Sequence, residues 1–270
     1  MTSDWYEDDY QRTVDAVDST NFLPDTLVEI VCSVERPDPP RHVLFDFDGT
    51  LAALAPRPEL VEVEPRVGDL LRGLCGRFDG AVAIVTGRPL EVVDGFLAPL
   101  RLATAAEHGS IRRDASGHVY ADTRSLQAVI AVGDALAGFV EDNAGLLLER
   151  KQTSVALHYR QRPDLKETCR TAVEEAVADH DGLVILPGKM VYEVRPKGCD
   201  KGVAVTAFLD AAPFKGRLPV YMGDDVTDED AFAVVNALGG VSIKIDDGES
   251  QAQYRTDREA LFDWLAGLVR

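Results

Sequence analysis

Two carboxylates open the chemistry of this chain. In Asp46-Phe47-Asp48-Gly49-Thr50 they lie two residues apart, just where the short apolar run 42–46 ends. A carboxylate at Asp46 can attack phosphorus as a nucleophile. One at Asp48 can protonate a leaving oxygen and later take a proton from water. Gly49 frees the backbone to turn away from the run. An ordinary Asp-Gly turn with solvated acids has the same letters, so the motif needs partners elsewhere in the chain.

Three further segments offer them. Thr86-Gly87-Arg88 follows the apolar run 81–85, and the Thr86 hydroxyl can donate to a phosphate oxygen, cap a helix beginning near Pro89, or do both. Arg88 has two readings, a substrate contact or a cap on that helix. Lys201, in Lys197-Gly198-Cys199-Asp200-Lys201-Gly202, opens a later helical pattern and can offset the repulsion between an anionic nucleophile and a phosphate. Gly223-Asp224-Asp225-Val226-Thr227-Asp228-Glu229 follows another apolar run and carries hard oxygen donors of the kind Mg²⁺ prefers. An acid-rich helix start, favoured by the macrodipole, accounts for Asp228 and Glu229 better than for Asp224.

The elements that must position these residues can be read from periodicity. Runs 42–46, 81–85 and 102–106 are short and apolar, as buried parallel strands are. Between them, Val67, Leu70, Leu71, Leu74 and Phe78 mark one helical face, and 90–97 a second helix. This β-α-β-α-β order predicts an α/β fold with helices on both faces of a parallel sheet. The texture then changes. Residues 111–120 read as a hairpin, 125–143 as a helix, 146–151 and 154–159 as paired strands, and 164–179 as a helix. Two more strands flank Pro187-Gly188, so the stretch reads as an inserted α+β module. The parallel pattern resumes after Arg195. The predicted organisation is an N-terminal extension over 1–40, a core over 41–110 and 195–270, and an insertion over 111–194. Helix-like spacing over 21–34 suggests that the extension packs a helix on the core.

Composition narrows the partners. The chain has 270 residues, 46% hydrophobic and 27% charged, enough apolar material for a core without a metal or disulfide staple. A formal net charge of −18 repels nucleic acid and anionic membrane surfaces. An anionic small substrate then needs a local cation or metal. The cysteines, Cys32, Cys75, Cys169 and Cys199, form no C-x-x-C pair, which points to free thiols in a reducing, cytoplasmic setting. No apolar run is long enough to span a membrane, and the acidic start, 1–9, is not read as a secretory signal.

Taken in order, the four motif segments resemble the haloacid dehalogenase-like phosphatases, over residues 42 to about 265. The resemblance implies a parallel-sheet core with an inserted α+β cap, Asp46 as nucleophile and Asp48 as general acid/base. It implies that Thr86 and Lys201 bind the phosphoryl group. Asp46, Asp224 and the carbonyl of Asp48 would bind Mg²⁺, with Asp228 just outside that group or orienting Lys201. The strings Glu107-His108-Gly109, 151–160 and 188–196 are similar to those of the trehalose-6-phosphate phosphatases. That subfamily implies that Glu107, Lys189 and Glu193 grip sugar hydroxyls. It sets Lys151, Ser154, His158 and Arg160 near the sugar or the cap–core interface, and Gly87, Arg88 and His108 beside the substrate. A structural hydrogen bond for His158 and a surface ion pair for Arg160 remain alternatives. Arg150 stands directly before Lys151, where the subfamily leads one to expect an acid. The implied reaction is Mg²⁺-dependent hydrolysis of trehalose 6-phosphate through an aspartyl-phosphate. The alternatives are another sugar phosphate, such as sucrose 6-phosphate or glucosylglycerol phosphate, and an inactive sugar-phosphate sensor or regulatory partner.

Overall fold

The computed structural model describes residues 39–55, 60–188 and 190–269. The expected helix over 21–34, the rest of the extension before residue 39, and Lys189 lie outside the described residues.

The chain enters through strand β1 (Arg41–Phe45), helix α1 (Pro65–Arg77), β2 (Val82–Val85), α2 (Leu90–Leu97) and β3 (Ala103–Ala106), and then a hairpin, β4 (Ile111–Arg113) and β5 (Val119–Ala121). All four residues of β2 and of β3 are buried. This is why these strands read as continuous apolar runs: helices cover both faces of the sheet. Pro65 begins α1, where a missing N–H costs nothing, and Val67, Leu70, Leu71 and Leu74 form its buried stripe.

The insertion consists of α3 (Leu126–Asp142), β6 (Leu147–Arg150), β7 (Val155–His158), α4 (Lys166–Val177), β8 (Leu183–Gly188) and β9 (Val191–Pro196). Its strands make a separate antiparallel sheet in the order β6-β7-β9-β8. Val129, Val132 and Leu136 of α3 and Val173 of α4 bury against Leu157 and Val194 in a second hydrophobic cluster. Pro187 and Gly188 belong to β8 rather than to the turn after it. As β8 is an edge strand, the missing N–H of Pro187 is tolerated.

The chain returns through α5 (Lys201–Leu209), β10 (Leu218–Gly223), α6 (Glu229–Ala237), β11 (Val241–Ile245), β12 (Tyr254–Thr256) and α7 (Arg258–Leu268). The large sheet has the order β12-β11-β10-β1-β2-β3-β4-β5. From β1 the first segment winds to one side, and from β10 the last segment winds to the other. Ligands bind at such switch points, beyond the carboxyl ends of the strands. β1 and β10 pair in parallel with Phe45 opposite Met222, so Asp46 and the Gly223-Asp224 step emerge together.

One boundary differs from the sequence reading. The hairpin expected over 111–120 falls in the predicted insertion, yet β4 pairs antiparallel with β3 and extends the large sheet, with Thr104 opposite Arg113. It covers an edge that β3 would otherwise expose. Arg113 fastens it through a bidentate pair with Asp94, at 2.6 and 2.7 Å. The turn residues of a short hairpin do not say which sheet it joins. No helix among the described residues is long and apolar enough to cross a membrane.

Candidate active site

Lys201 is set in place by the start of α5. Asp200 caps that helix by accepting the N–H of Val203 at 2.7 Å, which puts Lys201 in the first turn and turned under the sheet ends. Its Nζ donates to Asp46 Oδ1 and to Asp228 Oδ1, each at 2.7 Å. Lys201 is 3% exposed, Asp46 4% and Asp228 0%, so water does little to soften these charges. Asp228 Oδ1 also accepts the Tyr221 hydroxyl at 2.6 Å, and its Oδ2 accepts the N–H of Asp225 at 2.9 Å. Breaking such a buried pair leaves a bare charge and costs about 3–5 kcal/mol.

The balance of charge is negative. Burial works against the Lys201 ammonium, but Asp228 and Asp46 outweigh it and keep the group protonated. Burial holds Asp46 well above the usual carboxylate range against the pull of Lys201, and nearby Asp228 and Asp224 add to the rise. Asp224 is pushed up to about 6 by burial, with the charge of Asp228 next in weight. Asp46, Asp224 and Asp228 present oxygens within 4.8 Å of one another. Asp224 Oδ1 is buried with no hydrogen-bond partner among the described residues. Gly49, at φ 78°, passes so close that a Cβ there would sit 2.0 Å from Asp224 Oδ2. An all-oxygen, over-anionic cradle with an unmet acceptor suits a hard divalent cation. Asp228 is the exception in the set. With Lys201, Tyr221 and the Asp225 amide on its oxygens, it holds Lys201 rather than offering itself to a metal.

Asp48 lies apart from this cluster, on the wall of the adjoining cavity. Arg88 grips it through Nε at 2.6 Å and Nη2 at 2.7 Å. The guanidinium lies over the rings of Phe96 and Phe47, 5.3 and 5.8 Å from their centres. This settles the two readings of Arg88 against the helix cap, because Pro89 occupies the N-cap of α2. The Thr86 hydroxyl accepts the N–H of Arg88 at 3.2 Å and likewise does not cap α2.

The cavity, about 630 Å³, lies between core and insertion. Asp48, Gly87, Arg88 and His108 line it from the core, and Glu149, Lys151, His158, Arg160 and Glu193 from the insertion. Glu193 Oε1 accepts Lys151 Nζ at 2.8 Å and Ser154 Oγ at 2.7 Å, and its Oε2 lies 3.5 Å from His108 Nε2. Burial pushes the Glu193 carboxyl up, but His108 and Lys151 hold it well below the usual carboxylate range. Burial lowers the His108 ring, an effect that the hydrogen bond and charge of Glu193 offset only in part. His158 Nε2 lies 2.9 Å from Glu149 Oε2, which gives this strand histidine the structural hydrogen bond that was its alternative.

Glu107 departs from the sugar contact implied by the resemblance. It does not line the cavity, and its carboxylate accepts the N–H groups of Gln152 and Thr153 and the Thr153 hydroxyl, at 3.1, 2.7 and 2.6 Å. Sequence reasoning also missed Glu149, Tyr221 and Lys244. Lys244, buried on β11, donates to the main-chain carbonyl of Asp224. Tyr221 carried a usable signal, since a phenol inside an apolar run needs a buried acceptor.

The sequence matches the Trehalose-phosphatase family over residues 44–260. The chain belongs to that family. It is 39% identical over 213 residues to the trehalose-6-phosphate phosphatase of Escherichia coli K12, covering 78% of this chain and 79% of that one. It is 41% identical over 212 residues to a probable trehalose-phosphate phosphatase of Sinorhizobium fredii, covering 75% of this chain and 77% of that one. Among solved structures, a trehalose-6-phosphate phosphatase related protein superposes with a TM-score of 0.72 at 29% identity, covering 84% of this chain and 96% of that one. The C-terminal domain of the Candida albicans trehalose-6-phosphate phosphatase, at 22% identity and a TM-score of 0.77, covers 94% of this chain and 99% of its own, and shares the fold. The chain is thus a phosphoric monoester hydrolase built on a haloacid dehalogenase-like core with an inserted α+β cap.

Proposed function

We propose that this protein hydrolyses trehalose 6-phosphate to trehalose and phosphate in the cytoplasm, through an aspartyl-phosphate on Asp46. The observation that carries the reading is the buried Asp46–Lys201–Asp228 cluster, with a nearby cavity walled by Asp48 and Arg88 of the core and by charged side chains of the cap. Asp46 attacks phosphorus, and the bond to the sugar oxygen breaks as Asp48 protonates that oxygen. Water then attacks the phosphorus of the aspartyl-phosphate, Asp48 takes its proton, and Asp46 is regenerated. Lys201 offsets the charge carried by nucleophile and phosphoryl group together, and the Thr86 hydroxyl donates to a phosphoryl oxygen. Asp46 and Asp224, with the carbonyl of Asp48, would hold Mg²⁺, which supplies further neutralisation of the phosphoryl oxygens. Asp228 keeps Lys201 in place for this task.

On the cap side, Lys151 and Glu193 present donors and acceptors suited to sugar hydroxyls, with Arg160 and His158 beside them, while buried Ser154 lies behind Glu193 and donates to it. Three of the cysteines, Cys75, Cys169 and Cys199, are free thiols, which fits a reducing compartment.

Phosphate release from trehalose 6-phosphate, sucrose 6-phosphate and glucose 6-phosphate, each with Mg²⁺ and with excess chelator, tests the reading. Chelator-sensitive release from trehalose 6-phosphate, absent in Asp46→Asn, is the expected result. Preference for another sugar phosphate would overturn the substrate, and turnover by Asp46→Asn would overturn the nucleophile.

A further inference from the structure

Glu107 is a buried acid whose chemistry the reaction does not use. It follows β3, is 1% exposed, and has φ 46°, with His108 next at φ 56°. Two consecutive non-glycine residues in the left-handed region are strained, so surrounding contacts must impose the conformation. Backbone bonds do part of this: the N–H of Glu107 reaches the carbonyl of Arg88 at 3.1 Å, and that of His108 reaches Thr86 at 2.9 Å. The result aims the Glu107 side chain out of the core and into the insertion. There it meets the turn between β6 and β7, taking the Gln152 and Thr153 amides and the Thr153 hydroxyl. Thr153 is 2% exposed, so this contact is closed to water.

The residues on either side of that turn matter for recognition. Lys151 and Ser154 both end on the same oxygen of Glu193, on the cavity wall. Lys151 Nζ also reaches back to the core, 3.4 Å from the carbonyl of Gly87. Fixing residues 152 and 153 therefore fixes the two side chains that orient Glu193.

We propose that Glu107 is a positioning residue that clasps the cap to the core, spending its carboxylate on the Gln152–Thr153 turn and acting on substrate only through Lys151, Ser154 and Glu193. The kinetic consequence rests on the proposed sugar-phosphate reading; the clasp itself does not.

The test measures amide hydrogen exchange by NMR at Gln152 and Thr153 in the substrate-free protein, for wild type, Glu107→Gln, Thr153→Val and the double variant. Turnover of trehalose 6-phosphate and of phenyl phosphate is followed in parallel. Loss of a charged acceptor from a buried amide should speed exchange at both amides by about 10-fold or more in Glu107→Gln. KM for the sugar phosphate should rise by a similar factor, with phenyl phosphate within about 2-fold, and the double variant should be little worse than the worse single one. Unchanged exchange in Glu107→Gln, or KM effects that multiply independently in the double variant, would overturn the clasp in favour of direct contact with sugar. Should Glu107→Gln fail to fold, Thr153→Val decides: faster exchange with a raised KM supports the clasp, and wild-type values for both overturn it. A wild-type protein inactive on every sugar phosphate would sink the proposed substrate class and leave the exchange measurement standing.

Discussion

Replacing Lys151 by methionine keeps the aliphatic stem and deletes the ammonium from a pair whose side chains are only 12% and 11% exposed. Breaking a buried ion pair costs about 3–5 kcal/mol because the remaining charge is left without a partner. Glu193 keeps Ser154 at 2.7 Å and the more distant His108, so the lower end, about 3 kcal/mol, is expected. At roughly 2–4 °C per kcal/mol for a chain of this size, Tm should fall by about 6–12 °C near neutral pH. The loss should depend on pH with a definite sign. In the wild type, Glu193 is held below the usual carboxylate range, so its contribution is present above about pH 4.3 and is lost as pH falls through the folded value. In the variant, burial without the ammonium raises the same carboxyl, so the folded state binds a proton more readily and the penalty is relieved on acidification. The difference between the two proteins should therefore shrink from pH 7.5 to pH 4.5. The Lys151 ammonium is itself raised, since the carboxylates around it outweigh the burial that works against it, so its contribution persists to the usual lysine pKa and beyond. Above neutrality the difference should stay flat up to about pH 9. Calorimetric melts at these pH values provide the check. A loss below about 1 kcal/mol, as for an exposed pair, or one unchanged between pH 7.5 and 4.5, would refute the assignment of a buried, charge-paired Glu193.

Three other substitutions probe the core. Gly49→Ala forces a Cβ to 2.0 Å from Asp224 Oδ2 at a left-handed φ, so calorimetric titration should show Mg²⁺ binding weakened about 10-fold or more, with the circular dichroism spectrum retained. Asp228→Asn keeps the size of the side chain but removes a negative charge from Lys201 and Tyr221; misplacement of the lysine should lower kcat by ~10²-fold, while substrate affinity changes less. Gly87→Ala sets a Cβ 2.6 Å from His108 Nε2 and should drive the ring off Glu193, raising KM for the sugar phosphate by roughly 10-fold, the equivalent of one hydrogen bond to a charged group, as steady-state kinetics would show.

Much of the core is legible in the chain itself because its signals are local. A run such as residues 82–85, buried on both faces, has to be nearly all apolar, and the motif residues come just where such runs stop. Glycine at position 49 announces a left-handed turn, and Asp200 before an apolar stretch announces the start of the helix that carries Lys201. The β-α-β order before the insertion, and the parallel pattern that resumes after it, announce one parallel-sheet core split by an inserted module. None of this needs knowledge of distant contacts.

Which acid faces which partner was decided only by tertiary structure. Glu107 and Glu193 read alike as carboxylates for sugar hydroxyls, yet one is spent on buried amides 45 and 46 residues away and the other lies on the cavity wall. Asp228 and Asp224 share one acidic string, but Tyr221 and Lys201 close on the first and leave an oxygen of the second bare. The turn over 114–117 marks a hairpin whichever sheet it joins, and the pairing of β4 with β3 settles the matter. The physical reason is common to all three. Periodicity reports which face of an element is buried, whereas the task of a buried polar group depends on which donors long-range packing delivers to it, since nearly every such group must be satisfied.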